Sequence, residues 1–268
     1  MKILIPTDFS DNARVALNYA LTLFGDEVSE LVLLNTWQIP HTGVGMLVSI
    51  EDILKDEAEK AMEDLVEEVR RNTHDTQNVR GIVHGGSLVD VVRSMQRSET
   101  FDLLVMGTRG ADDVRKKVIG SNTSNVVRRS LVPVLVVPDD VTLKAPQLVS
   151  LATDFQDLTQ EQVEEVRSVV KKFNANFEAV HVEKEPVYAE GQAPKEWQTP
   201  FNGDFPKVVQ VIDEDVSDGI DRYIRESKTD LLAVVRHEYG FFEGLFHSSV
   251  SRRLTMYCEV PIMVLPDA

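Results

Sequence analysis

The sequence predicts an α/β chain of two tandem domains, each a five-stranded parallel sheet covered by helices on both faces. Three observations carry this. Short apolar runs of strand length alternate with segments whose apolar residues recur at helical spacing. The strand-to-helix junction Thr7-Asp8-Phe9-Ser10-Asp11 returns as Thr153-Asp154-Phe155-Gln156-Asp157, and Asp102-Leu103-Leu104 as Asp230-Leu231-Leu232. The closing run Val132-Pro133-Val-Leu-Val-Val-Pro138 returns as Val260-Pro261-Ile-Met-Val-Leu-Pro266, so the second half is a divergent repeat. The anchors are offset by 146 residues at the start and 128 at the end, which makes the second copy 18 residues shorter between them.

Lys2–Ile5 is a short apolar strand that ends in Pro6-Thr7-Asp8. Ala13, Ala16, Leu17, Ala20, Leu21 and Phe24 then mark one face of a helix, with Ser10 or Asp11 as N-cap and Gly25 as stop. Asp8 thus lies where ligands collect in open α/β sheets, and it serves either a ligand or the turn's own N–H groups. Leu31–Thr36 is a second strand, apolar enough to be buried on both faces. After irregular Trp37–Val48 comes a long charged helix, Ile50 to Arg71, with Ile53, Ala58, Ala61, Leu65, Val66 and Val69 as its inner stripe. Val79–Val83 is the third strand. His84-Gly85-Gly86-Ser87 turns into helix Leu88–Met95, with turn glycines, Ser87 as N-cap and His84 as a strand-end residue. Leu103–Met106 is the fourth strand and Val132–Val137 the fifth.

A linker from Asp139 to Pro146 separates the expected domains, 1–140 and 146–268. The second begins at Leu148 and continues with helix Gln160–Phe173 and strand Phe177–Val182. Glu183–Asp204 follows, with Pro186, Gly191, Pro194, Pro200 and Gly203 and no helical stripe, in the place of the long charged helix. A structureless loop of this length is unusual inside a domain and is as a rule functional or mobile. Strand Val208–Ile212, helix Val216–Arg225, strand Leu231–Val235 and a helix near Ser248–Tyr257 complete the copy.

Composition excludes several classes. At 268 residues, 43% hydrophobic and 27% charged, the chain has the make-up of a soluble globular protein. A net charge of −16 and a pI near 4.8 repel nucleic acid and anionic membranes at long range, so neither is expected as a partner. The apolar runs are too short to cross a bilayer, and the first is too short for a signal peptide. The single cysteine, Cys258, forms no internal disulfide or CxxC pattern and reads as buried packing, so a cytoplasmic location is expected. Arg109, Arg115, Lys116, Lys117, Arg128 and Arg129 form the one basic cluster. Most of it reads as solvated helix face; Arg109, between two glycines, is the member best set to meet a phosphate.

The chemistry concentrates in Asp102–Pro138. A buried strand breaks at Gly107-Thr108-Arg109-Gly110, and Gly120-Ser121 opens a helix before the next buried strand. Glycines let the backbone approach a phosphate, and the free N–H groups of a helix start favour an anion. Ser121 and Thr123 would add hydroxyl donors. No Walker A sequence occurs. In the second copy Val235, Glu238 and Ser248 replace Gly107, Gly110 and Gly120, so side chains would crowd and repel a phosphate there. Ser249 matches Ser121. Tyr239, Phe241, Phe242 and Phe246 read as a packed hydrophobic closure, and His237 and His247 lack a third partner for zinc.

The spacing Gly107-x2-Gly110-x9-Gly120-Ser121, the PTDFS junction at Pro6–Ser10 and the VPVLVVP strand resemble the universal stress protein (UspA) family, and the repeats extend the resemblance over nearly the whole chain. The resemblance implies tandem domains of the doubly wound, adenine nucleotide alpha hydrolase-like fold, paired through their last strands as an internal pseudo-dimer that could associate further into a homodimer. It implies ATP as ligand, carried with Mg²⁺ near Asp8. It sets Pro6, Thr7 and Asp8 beside the nucleotide, Thr36 at the main chain that contacts adenine, and Met106, Gly107, Arg109 and Gly110 along ribose and phosphates. Gly120, Ser121, Asn122 and Thr123 match the phosphate-binding helix start.

The function expected is an ATP-binding stress-response regulator with one nucleotide site, in the first domain, whose bound state an unidentified protein partner reads. One alternative is a nucleotide-independent scaffold that uses the second domain and the Glu183–Asp204 segment. Another is an enzyme that makes adenylates or cleaves ATP. No triad, metal cluster or general-base pair supports efficient catalysis, which leaves at most weak ATP hydrolysis.

Overall fold

The computed structural model describes residues 1–38, 47–73, 78–108, 119–155, 158–186, 195–236 and 259–267. The chain divides into two compact units, one within Met1–Asp139 and the other from Asp140 on.

The first unit runs β1 (Lys2–Pro6), α1 (Asp11–Phe24), β2 (Glu30–Trp37), α2 (Leu47–Asn72), β3 (Asn78–Gly85), α3 (Leu88–Ser98), β4 (Leu103–Gly107), α4 (Ser121–Arg129) and β5 (Val134–Val137). Its strands lie parallel in the order β3-β2-β1-β4-β5. The central strands are apolar on both faces because helices cover both, and Ile3, Leu4, Ile5, Leu33 and Leu104 have no solvent exposure. Packing of α2 over β2 and β3 depends on Gly81: a Cβ there would lie 2.5 Å from Met62 Cγ.

The second unit repeats this plan with β6 (Leu148–Ala152), α5 (Gln160–Phe173), β7 (Asn176–Glu183), α6 (Lys195–Gln198), β8 (Lys207–Ile212), α7 (Val216–Ser227), β9 (Leu231–Val235) and β10 (Ile262–Leu265). Its strands are parallel in the order β8-β7-β6-β9-β10. The repeat holds at the level of register. Ile3 pairs with Leu31 and Leu103, and the equivalent Val149 pairs with Phe177 and Leu231. Asp102 accepts from the Lys2 N–H at 2.6 Å, and Asp230 from the Leu148 N–H at 3.1 Å, so the Asp-Leu-Leu echo caps the first strand of each unit.

Four expectations change. Glu183–Asp204 is not without helix: Lys195–Gln198 forms a helical turn and Thr199–Phe201 a 3-10 turn. Trp197, Phe201 and Phe205 supply an aromatic stripe at helical spacing, and Phe201 is fully buried. In α2 the buried stripe is Met62, Leu65, Val66 and Val69, while Ile53 is 53% exposed. A helix of this length reaches roughly 39 Å and overruns a sheet edge of about 27 Å. Gly25 ends α1 in a right-handed conformation that continues into a 3-10 turn, Gly25–Glu27. Ser87 stands at the N-cap of α3 without a side-chain bond, whereas Ser10 caps α1 by accepting from Ala13 N–H. The expected helix near Ser248–Tyr257, the Tyr239–Phe246 cluster, His237, His247, Glu238, Ser248, Ser249 and Cys258 lie outside the described residues.

Candidate functional site

The end of β1 is shaped by its own side chains. Thr7 continues the ladder by donating its N–H to Leu34 O at 2.8 Å. Its hydroxyl then accepts the Phe9 N–H at 3.0 Å, and the Asp8 carboxylate accepts the Ser10 N–H at 3.1 Å. These two bonds turn the chain through Phe9, which takes φ of 63°, a left-handed conformation costly for a bulky residue. Asn35, the polar residue near the end of β2, donates its amide to Thr7 O at 2.8 Å and is itself buried.

Across the switch between β1 and β4 the backbone is held from α4. Thr108 donates its N–H to Val137 O at 3.0 Å, and Gly120 donates its N–H to Thr108 O at 2.6 Å. The Thr123 hydroxyl donates to Gly107 O at 2.9 Å. Gly120 is the N-cap of α4 and offers no side-chain acceptor of its own to the first N–H groups of that helix. Arg128 and Arg129 occupy its last turn, where cations complement the helix dipole.

Between these pieces opens a cleft lined by Pro6, Thr7, Asp8, Ala13, Asn35, Thr36, Leu88, Met106, Gly107, Asn122 and Thr123. Its empty space, open mouth included, is about 530 Å³. It lies at the carboxyl edge of β1, β2 and β4, where strand order reverses. The lining joins an apolar wall to a polar edge. Pro6, Ala13, Leu88 and Met106 offer apolar wall, and the start of α4 offers the positive end of a dipole.

Of the residues singled out in the sequence, Pro6, Thr7, Asp8, Thr36, Met106, Gly107, Asn122 and Thr123 meet in this cleft. Gly120 and Ser121 begin α4 without lining it, and Arg109 and Gly110 lie outside the described residues. One expectation needs correction. The Thr123 hydroxyl hydrogen goes to Gly107 O, so Thr123 can add a donor only through its backbone N–H. His84 stands exposed at the end of β3, its ring Nδ1 donating to Gly85 O at 2.6 Å, and does not line the cleft. Gly86 is a turn glycine as expected, with φ of 128°, whereas Gly85 is the last residue of β3 and pairs with Trp37. Sequence reasoning missed Ala13, Asn35 and Leu88. Asn35 had a signal: it is the one amide in β2, directly after the apolar run Leu31–Leu34.

The family model of the universal stress protein family matches residues 1–138. The chain belongs to the universal stress protein family. Universal stress protein MJ0577 of Methanocaldococcus jannaschii is 28% identical over 151 residues, 51% of this chain and 93% of that protein. Universal stress protein Rv1636 of Mycobacterium tuberculosis is 28% identical over 142 residues, 50% of this chain and 94% of that protein. Over the whole length, the crystal structure of a universal stress protein from Archaeoglobus fulgidus matches with a TM-score of 0.71 at 21% identity, covering 100% of this chain and 96% of its own. Its likeness shows that the second half shares the universal stress protein fold.

The second unit carries the same junction with different contents. Thr153 donates its N–H to Val180 O at 3.1 Å and its hydroxyl accepts the Phe155 N–H at 2.8 Å, with Phe155 at φ of 61°. His181 takes the register position of Asn35 and donates Nδ1–H to Thr153 O at 2.9 Å. Val235, buried at the end of β9, stands in place of Gly107. Among the described residues no group of three His, Cys, Asp or Glu side chains is set to hold a metal ion, and no helix is long and apolar enough to cross a membrane.

Proposed function

We propose that this universal stress protein binds one adenine nucleotide, ATP with its Mg²⁺, in the cleft of the first unit, and that a protein partner reads the bound state. The observation that carries the reading is the meeting of Thr7, Asp8, Thr36 and Gly107 with Asn122 and Thr123 of the first turn of α4 in one cleft. Pro6, Ala13, Leu88 and Met106 suit the purine and ribose, and the start of α4 suits the phosphates. Arg109 and Gly110 belong to the same glycine loop by sequence and would flank the phosphates. Asp8, at the mouth, is set to meet the magnesium that accompanies the nucleotide. The role is binding and signalling rather than turnover. Domain limits of 1–140 and 146–268, and a cytoplasmic setting, belong to the same reading.

Calorimetric titration of ATP with Mg²⁺ into the full chain tests it. One site per chain is expected, lost in Gly107→Val, which copies Val235 into the first unit. No heat at millimolar ATP would refute the nucleotide reading and leave a scaffold role in front.

A further inference from the structure

Trp197 lies flat on Phe155, with ring centroids 4.1 Å apart and planes 8° apart. His181 also packs against it, 4.8 Å away and tilted by 59°. Both partners belong to the strand-end junction of the second unit. Phe155 follows Thr153-Asp154, and His181 holds the Thr153 carbonyl. By register His181 stands where Asn35 lines the cleft of the first unit. We propose that the Trp197 indole is a built-in occupant of the second unit's ring slot, so that the chain takes one planar ligand rather than two.

The segment that presents Trp197 is fastened, not merely apposed. Phe201 has no exposure and meets Phe205 edge to face at 5.1 Å. Arg167, buried on α5, donates Nη2 to Phe201 O at 2.7 Å and to Asp204 O, and Nη1 to Glu164 at 2.7 Å. The effect shows at the repeated phenylalanine: Phe155 is buried, whereas Phe9 at the same turn is only half-buried. A planar ring stacked on an aromatic face is what a purine would offer in that place. Val235 excludes phosphates and the indole excludes the base, which closes the second unit twice over. The one-ligand count rests on reading the first-unit cleft as a purine site; the ring slot does not.

The test removes the indole and offers rings back. Full-length Trp197→Ala is titrated with indole and then with adenosine, a purine without phosphates. The variant is expected to bind one indole that the wild type ignores, with a rise in melting temperature of roughly 2–4 °C near saturation. Adenosine is expected to compete for that indole, and its stoichiometry to rise from one to two. A folded variant that binds no indole, or binds indole that adenosine never displaces, overturns the proposal. Should the variant fail to fold, Trp37→Phe leaves Trp197 as the sole tryptophan, since the chain has two. Its emission should then stay constant through saturating adenosine; a saturable change would mean that the ring slot is open, against the proposal. A wild type that binds no adenosine refutes the first-unit reading alone, because indole binding by Trp197→Ala still decides whether the slot exists.

Discussion

The side-chain amide of Asn35 donates to the carbonyl of Thr7 across 2.8 Å, tying the end of β2 to the end of β1 beneath the cleft. The bond fixes the turn from which Thr7 and Asp8 face the cleft. Asn35→Leu keeps the bulk, removes the donor and leaves a buried carbonyl unpaired, at a cost of about 1–2 kcal/mol. Urea denaturation would measure that loss. ATP affinity should fall at least about tenfold, since the turn also holds ligand-facing groups. Unchanged affinity in a destabilised variant would make Asn35 purely structural.

In the second unit Tyr223 donates its hydroxyl to Glu178 at 2.7 Å and lies 2.9 Å from Ser150, which in turn is 2.9 Å from Thr229. The equivalent first-unit positions are Met95, Val32, Leu4 and Phe101, an apolar cluster. Burial pushes the Tyr223 hydroxyl up to about 12, so it remains a donor at all ordinary pH. Tyr223→Phe should cost about 1–2 kcal/mol, because Glu178 and Ser150 lose a buried partner. The urea midpoint should drop with its slope unchanged, and nucleotide binding in the first unit should be unaffected.

Asp221 on α7 gives a pH test. Burial raises its carboxyl to about 6 from 3.8, with Glu259, Asp218 and Asp215 adding to the rise and Arg225 opposing it. The folded state therefore holds this proton to higher pH than the unfolded chain does. Its contribution to stability falls as pH rises from about 4 to about 6 and is flat above. Asp221→Asn should remove that fall and stabilise the protein at pH 7.5 by roughly 1–2 kcal/mol, with little gain at pH 4. Equal gains at both pH values would contradict the assignment.

Much of this was legible in the sequence, and what escaped it has physical causes. Strands such as Leu231–Val235 and helices such as Gln160–Phe173 follow periodicity residue for residue, since burial on both faces or one face dictates composition. The expected start of the fifth strand at Val132 fell two residues early, because Pro133 has no N–H for the ladder and offers only its carbonyl to Leu104. Pro6, Thr7, Asp8 and Gly107, which line the cleft, were readable because PTDFS and the glycine signature mark strand ends that need those residues. Asn35 was not read, because a single amide in an apolar strand gives no periodic signal. Trp197, Phe201 and Phe205 were masked by surrounding prolines and glycines, although their four-residue spacing was there to be counted. The bond from Thr123 to Gly107 lies across 16 residues, beyond what any local pattern shows.

The most direct measurement is native mass spectrometry of the intact chain with increasing ATP and Mg²⁺, beside Gly107→Val under the same conditions. One nucleotide mass per chain is expected, saturating without a second, and none on the variant. Two nucleotides on the wild type, or one that survives Gly107→Val, would contradict a single site in the cleft of the first unit.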